Sequence, residues 1–344
     1  MDMNTKRTPL KDLGEFGLIE HLTKDAEIIN KSTQKAVGDD AAVMNYGTKC
    51  VVASTDILLE GIHFDLTYTP LKHLGYKAAV VNFSDIYAMN AKPAQLLVSI
   101  GISARFCVED IEQIYDGIKL ACQTYKVDLV GGDTSSSLTG LTLSLTILGE
   151  ADKEKICYRS GAKPNDLICL TGNIGAAYMG LQLLEREKKV FEGNTNIQPQ
   201  FDGYDYVLQR FLKPEARKDI VELMADADIV PTSMIDISDG LSSEILHICK
   251  QSNVGARIYL SYIPIASQTF KIAEEMGIDA VTAALNGGED YELLFTLPLA
   301  LRDKIKDLGG IDVIGHITEP QEGAYLVTPE GTEIKLQAQG WQHV

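Results

Sequence analysis

The chain has 344 residues, of which 45% are hydrophobic, and a formal net charge of −17. That length suits two domains of roughly 150 residues each, and the charge excludes a phosphate-tracking nucleic-acid binder, which needs a basic stripe. No apolar run approaches the roughly 20 residues of a membrane-spanning helix, and the polar start from Met1 to Lys11 has no signal-type apolar segment, so no membrane role and a soluble cytoplasmic protein are expected.

Val51 to Ser54 reads as a short β run that delivers Asp56 just beyond its end. Leu71 to Met89 has helical periodicity, with Ser84-Asp85 inside it and Asn90 placed as a left-handed C-cap before Pro93. Gln95 to Ile102 reads as a strand, Val108 to Tyr125 as an amphipathic helix, and Val127 to Val130 as a buried strand ending at Gly131-Gly132-Asp133. Leu141 to Thr146 alternates strictly and predicts a strand with one wet or partner-facing side.

The charged stretch Ala151 to Lys155, followed by Gly161-Ala162-Lys163-Pro164, places a domain boundary that divides the chain into 1–152 and 153–344. Beyond it, Leu167 to Leu170 is a strand entering Thr171-Gly172-Asn173-Ile174-Gly175 and a helix through about Glu187. Glu192 to Asp205 is polar and reads as a surface excursion; Asp236 to Lys250 begins a helix for which Asp236 or Ser238 is a suitable N-cap. The fold class is α/β (α+β), in two halves. Six cysteines lie far apart without a C-x-x-C pair and read as buried reduced thiols.

Acidic motifs recur at the edges of apolar runs: Gly38-Asp39-Asp40, Ser54-Thr55-Asp56, Ser84-Asp85, Gly131-Gly132-Asp133-Thr134, Asp236-Ile237-Ser238-Asp239-Gly240 and Gly287-Gly288-Glu289-Asp290. One Asp beside Gly is ordinary turn chemistry. A helix interior is a poor place for Ser-Asp, however, and a turn needs no Ser-Thr-Asp after a β run. Mg²⁺ takes one or two carboxylates per ion and shares its octahedron with water and phosphates, so scattered Asp residues suggest several Mg²⁺ ions around a polyphosphate. Gly172-x-x-Gly175 either lets backbone approach a phosphate at a helix N-terminus or is a tight turn. Arg159 is a candidate phosphate donor or a solvated linker residue, and His63 follows Asp56 closely. No P-loop, protein-kinase motif set or Ser-His-Asp arrangement occurs, which leaves chemistry by positioning and charge neutralisation.

Gly14-Glu15-Phe16-x-Leu18-Ile19, Gly38-Asp39-Asp40, Ser54-Thr55-Asp56, Gly61-x-His63-Phe64, Lys77-Ala78-x-x-Val81-Asn82-x-Ser84-Asp85, Gly131-Gly132-Asp133-Thr134, Arg159-Ser160-Gly161, Asp236-x-Ser238-Asp239-Gly240 and Gly287-Gly288-Glu289-Asp290-Tyr291-Glu292 together resemble the thiamine-monophosphate kinase family. The likeness runs in order from Gly14 to Gly340-Trp341. It implies the two-domain aminoimidazole ribonucleotide synthetase-like fold, each domain a mixed sheet covered by helices. In that fold an N-terminal metal, ATP and dimerisation domain pairs with its twin in a homodimer, and a C-terminal domain closes over the nucleotide. It implies ATP-dependent phosphorylation of thiamine monophosphate by direct in-line transfer, without a covalent enzyme intermediate. Carried over by motif, Asp39, Ser54, Thr55, Asp56, Asp85, Asp133, Asp236 and Asp239 would be Mg²⁺ ligands. Tyr115, Gly132, Asp133, Arg159 and Ser238 would contact ATP, and His63, Glu289 and Trp341 the thiamine phosphate. Asn90 departs from the family's usual Gly, which is tolerable because Asn also enters the left-handed region. A superfamily member with another acceptor, or a nucleotide-binding regulator without turnover, are the rival readings.

Overall fold

The computed structural model describes residues 8, 9, 13, 18, 21–35, 43, 44, 47, 49–193 and 199–338. The chain forms two compact units, one of residues 1–86 with 91–153 and one of 87–90 with 154–344.

In the first unit a short antiparallel pair, β1 (Thr33–Lys35) with β2 (Val43–Met44), precedes a four-stranded sheet. That sheet holds β3 (Cys50–Leu59), β4 (Lys92–Ile102), β5 (Asp128–Ser136) and β6 (Thr142–Ala151) in the order β3-β6-β4-β5, antiparallel except for β4 beside β5. β3 and β6 pair along ten residues each, from Cys50 opposite Ala151 to Leu59 opposite Thr142. Asp56 therefore lies inside a strand and not beyond its end, because Ile57-Leu58-Leu59 carries the β run on. β5 likewise continues through Gly131-Gly132-Asp133: a Cβ at Gly132 would lie 1.7 Å from the Val98 carbonyl oxygen, so glycine lets β4 and β5 pair closely. Along β6, buried and half-buried residues alternate without a break, as the sequence pattern requires.

Helices α1 (Leu71–Ala88) and α2 (Val108–Tyr125) are the long helices among the described residues that follow β3 and β4. They cross where a Cβ on Gly75 would sit 1.9 Å from the Ile114 carbonyl oxygen and one on Gly117 would sit 2.0 Å from that of Lys72. From Leu74 to Ala88 every residue of α1 is buried except Asp85. A helix buried almost all round belongs to a core. α1 is followed by Asn90 at φ 52, the left-handed residue expected there.

The second unit holds a seven-stranded mixed sheet built from β7 (Leu167–Thr171), β8 (Ser233–Asp236), β9 (Gly255–Tyr259), β10 (Leu293–Leu297), β11 (Ile311–Thr318), β12 (Ala324–Val327) and β13 (Glu333–Lys335), in the order β13-β12-β9-β11-β7-β10-β8. β7, β10 and the edge strand β8 pair antiparallel in that succession, and all three are buried throughout. Alternate residues feed two separate cores: Ile168, Leu170, Ile235 and Leu294 on one face, Leu167, Cys169, Met234 and Phe295 on the other. A sheet covered on both sides explains why its strands read as unbroken apolar runs. Around it lie α3 (Ala176–Gly193), α4 (Asp205–Leu212), α5 (Lys218–Asp226), α6 (Leu241–Ser252), α7 (Ser267–Met276) and α8 (Ala280–Asn286). α3 runs one and a half turns past Glu187, and α6 begins at Leu241 with Gly240 as its N-cap, not Asp236 or Ser238. Among the described residues no helix is long and apolar enough to cross a membrane. All six cysteines are free thiols: four are buried, whereas Cys50 and Cys107 are half-buried.

Candidate active site

In the first unit, strand alternation sorts the Ser54-Thr55-Asp56 motif. Ser54 and Asp56 lie on the half-buried face of β3, and Thr55 lies on the exposed face. The Ser54 hydroxyl donates to Asp85 Oδ2 at 2.5 Å, which ties β3 to the one accessible position on the buried part of α1. Burial and the charge of Asp85 push the Asp56 carboxyl up to about 6. Ser54, Asp56 and Asp85 are thus brought together, and their donors are all oxygens, the set that suits a hard cation. Thr55 is not part of that set: its hydroxyl donates to the Leu145 carbonyl at 2.9 Å and meets Thr146 Oγ1 at 2.9 Å on the other side of the sheet.

Asp133 is exposed on β5, the opposite edge strand. The register Ile57–Ser144–Ser99–Asp133 separates it from β3 by three strand spacings, about 14 Å at roughly 4.8 Å each. Asp133 and Asp56 in one chain are too far apart to share one ion. Among the described residues no group of three or more His, Cys, Asp or Glu side chains forms a metal cluster. Asp39 and Trp341 lie outside the described residues. His63 is held to the end of β3, where its Nδ1 accepts from the Leu59 backbone N–H at 3.0 Å. Tyr115 is 6% exposed within α2, and burial pushes its phenol up to about 12.

In the second unit the antiparallel registers bring three loops to one end of the sheet. Leu170 faces Leu294 and Asp236 faces Leu293, so the segment after β7, the segment after β8 and the segment before β10 emerge together. The Glu289 N–H donates to the Ser238 carbonyl at 2.8 Å and the Tyr291 N–H to that of Ile237 at 2.9 Å. The two acidic motifs, far apart in sequence, are therefore stitched into one structure. Asp236 is buried, and Ser238, Asp239 and Glu289 are half-buried beside it. Arg159 is exposed, its carbonyl accepting from Ser252 Oγ at 3.3 Å near the far end of α6. His247 on α6 is lowered by burial first and then by Arg159, while Asp239 opposes both.

Sequence reasoning missed Glu244, Arg210, Arg217 and the roles of Asp290 and Glu292. Glu244 Oε1 accepts from the Asp239 N–H at 2.8 Å and from the Ser238 N–H at 3.2 Å, while burial pushes this carboxyl up to about 8. Its signal was a carboxylate at the i+3 position of the apolar stripe Leu241, Ile245, Ile248. The Gly172-x-x-Gly175 loop is not a phosphate cradle. Asp290, fully buried, accepts from Gly175 N–H at 2.6 Å and Ala177 N–H at 3.2 Å and so fills the N-terminus of α3 with the protein's own carboxylate. Gly172, at φ 55, is glycine because a Cβ would come within 2.2 Å of Glu292 Oε1.

Residues 38–151 match the AIR synthase related protein N-terminal domain. Over 335 residues the chain is 34% identical to the thiamine-monophosphate kinase of Aquifex aeolicus, covering 97% of this chain and 99% of that one. The thiamine-monophosphate kinase of Bacillus subtilis is 33% identical over 338 residues, with 96% and 99% covered. The chain belongs to the thiamine-monophosphate kinase family. Its fold agrees: the solved structure of AaThiL complexed with AMPPCP and TMP superposes with a TM-score of 0.76 at 32% identity, covering 99% of this chain and 100% of that one.

Proposed function

We propose that this chain transfers the γ-phosphoryl group of ATP to the phosphate of thiamine monophosphate, giving thiamine diphosphate and ADP. The observation that carries this reading is the match to thiamine-monophosphate kinases across nearly the whole chain, in a fold whose relative holds AMPPCP and TMP. An oxygen of the acceptor phosphate attacks the γ-phosphorus, and the bond from that phosphorus to the β-bridging oxygen breaks, in line and without a covalent enzyme intermediate.

Ser54, Asp56 and Asp85 would hold Mg²⁺, with Asp39, Asp133, Asp236 and Asp239 as further ligands. Held by these residues, Mg²⁺ would supply neutralisation of the phosphate charge. Two carboxylates close enough for one to raise the other support this placement. Gly132, Asp133, Arg159 and Ser238 would contact the nucleotide, whereas Tyr115 offers it little surface. His63, Glu289 and Trp341 would receive the acceptor. Residues 1–152 would carry the metal, ATP and dimerisation roles and 153–344 the Glu289 loop, in a cytoplasmic homodimer. Exposed Val51 and Ile57 on the outward face of β3 support self-association.

The test compares thiamine monophosphate and thiamine as acceptors at matched ATP, with Mg²⁺ and with the cation chelated. Thiamine diphosphate should form only from the monophosphate and only with the cation. Equal turnover of free thiamine would instead identify a hydroxyl kinase, because a neutral alcohol lacks the phosphate anchor.

A further inference from the structure

The backbone of the Gly287–Tyr291 loop is unusual. Gly288 (φ 70), Glu289 (φ 57) and Tyr291 (φ 53) all sit in the left-handed region, which non-glycine residues enter only when their surroundings hold them there. Asp290, between the last two, turns inward and is 1% exposed. Its carboxylate takes the Gly175 and Ala177 N–H groups at the start of α3. Glu292, 2% exposed, accepts from Thr171 Oγ1 at 2.5 Å, from Arg210 Nη1 at 3.0 Å and from Arg217 Nη1. Arg210 Nη2 then donates to the Asn173 carbonyl at 2.9 Å and to the Asp290 carbonyl at 3.1 Å. One guanidinium thus grips both the α3 entry loop and the Asp290 backbone. The opposite side of the loop is stitched to Ile237 and Ser238 by the Glu289 and Tyr291 amides.

The geometry points to Asp290 and Arg210 as positioning residues that, supported by Glu292, hold Glu289 in the backbone conformation in which it receives the acceptor. Neither side chain needs to touch substrate. Asp290 fixes the loop from within and Arg210 fixes it from α4, so that the Glu289 side chain leaves the backbone in one direction. This inference rests on Glu289 being an acceptor-binding residue, as proposed above. Arg210 is not replaceable by lysine in this role, because a lone ammonium cannot reach Asn173, Asp290 and Glu292 with a planar fork.

The experiment measures KM and kcat for each substrate in Glu289→Ala, Asp290→Asn, Arg210→Lys and Glu289→Ala/Asp290→Asn, with thermal melts to confirm folding. Asp290→Asn and Arg210→Lys should each raise the KM for thiamine monophosphate tenfold or more and leave the KM for ATP within about twofold. The double variant should be no worse than Glu289→Ala alone, since Asp290 acts through Glu289. If Glu289→Ala raises the acceptor KM but the two folded positioning variants do not, or if both substrates' KM values rise together, the positioning role is overturned and the acceptor reading stands. If Glu289→Ala leaves the acceptor KM unchanged, the acceptor reading falls and the inference falls with it. Should Asp290→Asn fail to fold, Arg210→Lys alone decides by the same KM split.

Discussion

Asp56 is a carboxylate whose neighbourhood favours the protonated form. Its folded value of about 6 stands above the ordinary 3.8 because it is largely buried and faces Asp85. Between those two values the folded state binds more protons than the unfolded one, so stability falls as pH rises, and the penalty is complete above pH 6. Two units correspond to at most about 3 kcal/mol, less whatever solvent screens. Asp56→Asn should therefore raise the melting temperature of the metal-free protein at pH 8 and leave it unchanged at pH 3.5. The same substitution should lower turnover at least a hundredfold, since a carboxamide is a poorer Mg²⁺ ligand. Thermal melts across pH beside the coupled assay check both arms; a lower melting temperature at pH 8 would remove the argument for a strained carboxylate pair. Gly172 offers a second test at this scale. Gly172→Ala puts a methyl where Glu292 Oε1 lies 2.2 Å away and holds alanine at φ 55. A loss of about 2–4 kcal/mol is expected, from the left-handed backbone and the displaced ion pair together, and urea unfolding measures it.

Among the elements, β3 links sequence to site most directly. Its two faces have different tasks because side chains alternate: Ser54 and Asp56 turn toward α1, while Val51, Ala53, Thr55 and Ile57 form an exposed face with two large apolar residues on it. The homodimer proposed above would use this exposed face. Ile57→Lys should convert a dimer to a monomer in light scattering while the isolated chain keeps its far-ultraviolet circular dichroism. An unchanged dimer mass would move the interface elsewhere. The ends of α3 and α6 make a complementary point. Both helices start beside glycine, yet α3 is capped by Asp290 from a loop 115 residues away and α6 begins under the Ser238–Asp239 turn that Glu244 braces from inside.

For the whole molecule, cations entering with the phosphates, as proposed above, would reconcile the −17 charge with anionic ligands. A nonhydrolysable ATP analogue without Mg²⁺ should leave the melting temperature unchanged. With millimolar Mg²⁺ the same analogue should raise it by several degrees, as any ligand confined to the folded state does. It should also flatten the pH dependence that Asp56 introduces. Calorimetry with and without chelator reads both effects, and equal stabilisation by the analogue alone would count against ions as the bridge.

The sequence by itself determined the helices Leu71–Ala88 and Val108–Tyr125, the alternating strand that becomes β6, and the family to which the chain belongs. These features are local. Periodicity, a left-handed Asn90 and short runs of Gly, Ser and Asp are written within a few residues of each other and need no distant partner. What only the tertiary structure decided depends on distant pairing. β3 and β5 run on through Asp56 and Asp133 because β6 and β4 lie alongside with open hydrogen-bonding edges, which overrides the turn preference of the glycines. Thr55 parts from Ser54 and Asp56 because a strand sends neighbours to opposite faces, something visible only once the strand is known to continue. Gly172 and Gly175 look like a phosphate loop in isolation; in the fold they make room for Glu292 and expose an amide to Asp290. The quartet of Asp290, Glu292, Arg210 and Arg217 spans 82 positions of chain (292 − 210) and is charged on a sequence that reads as surface. Burial of such groups is affordable only with their partners in place, and that pairing exists nowhere but in the folded chain.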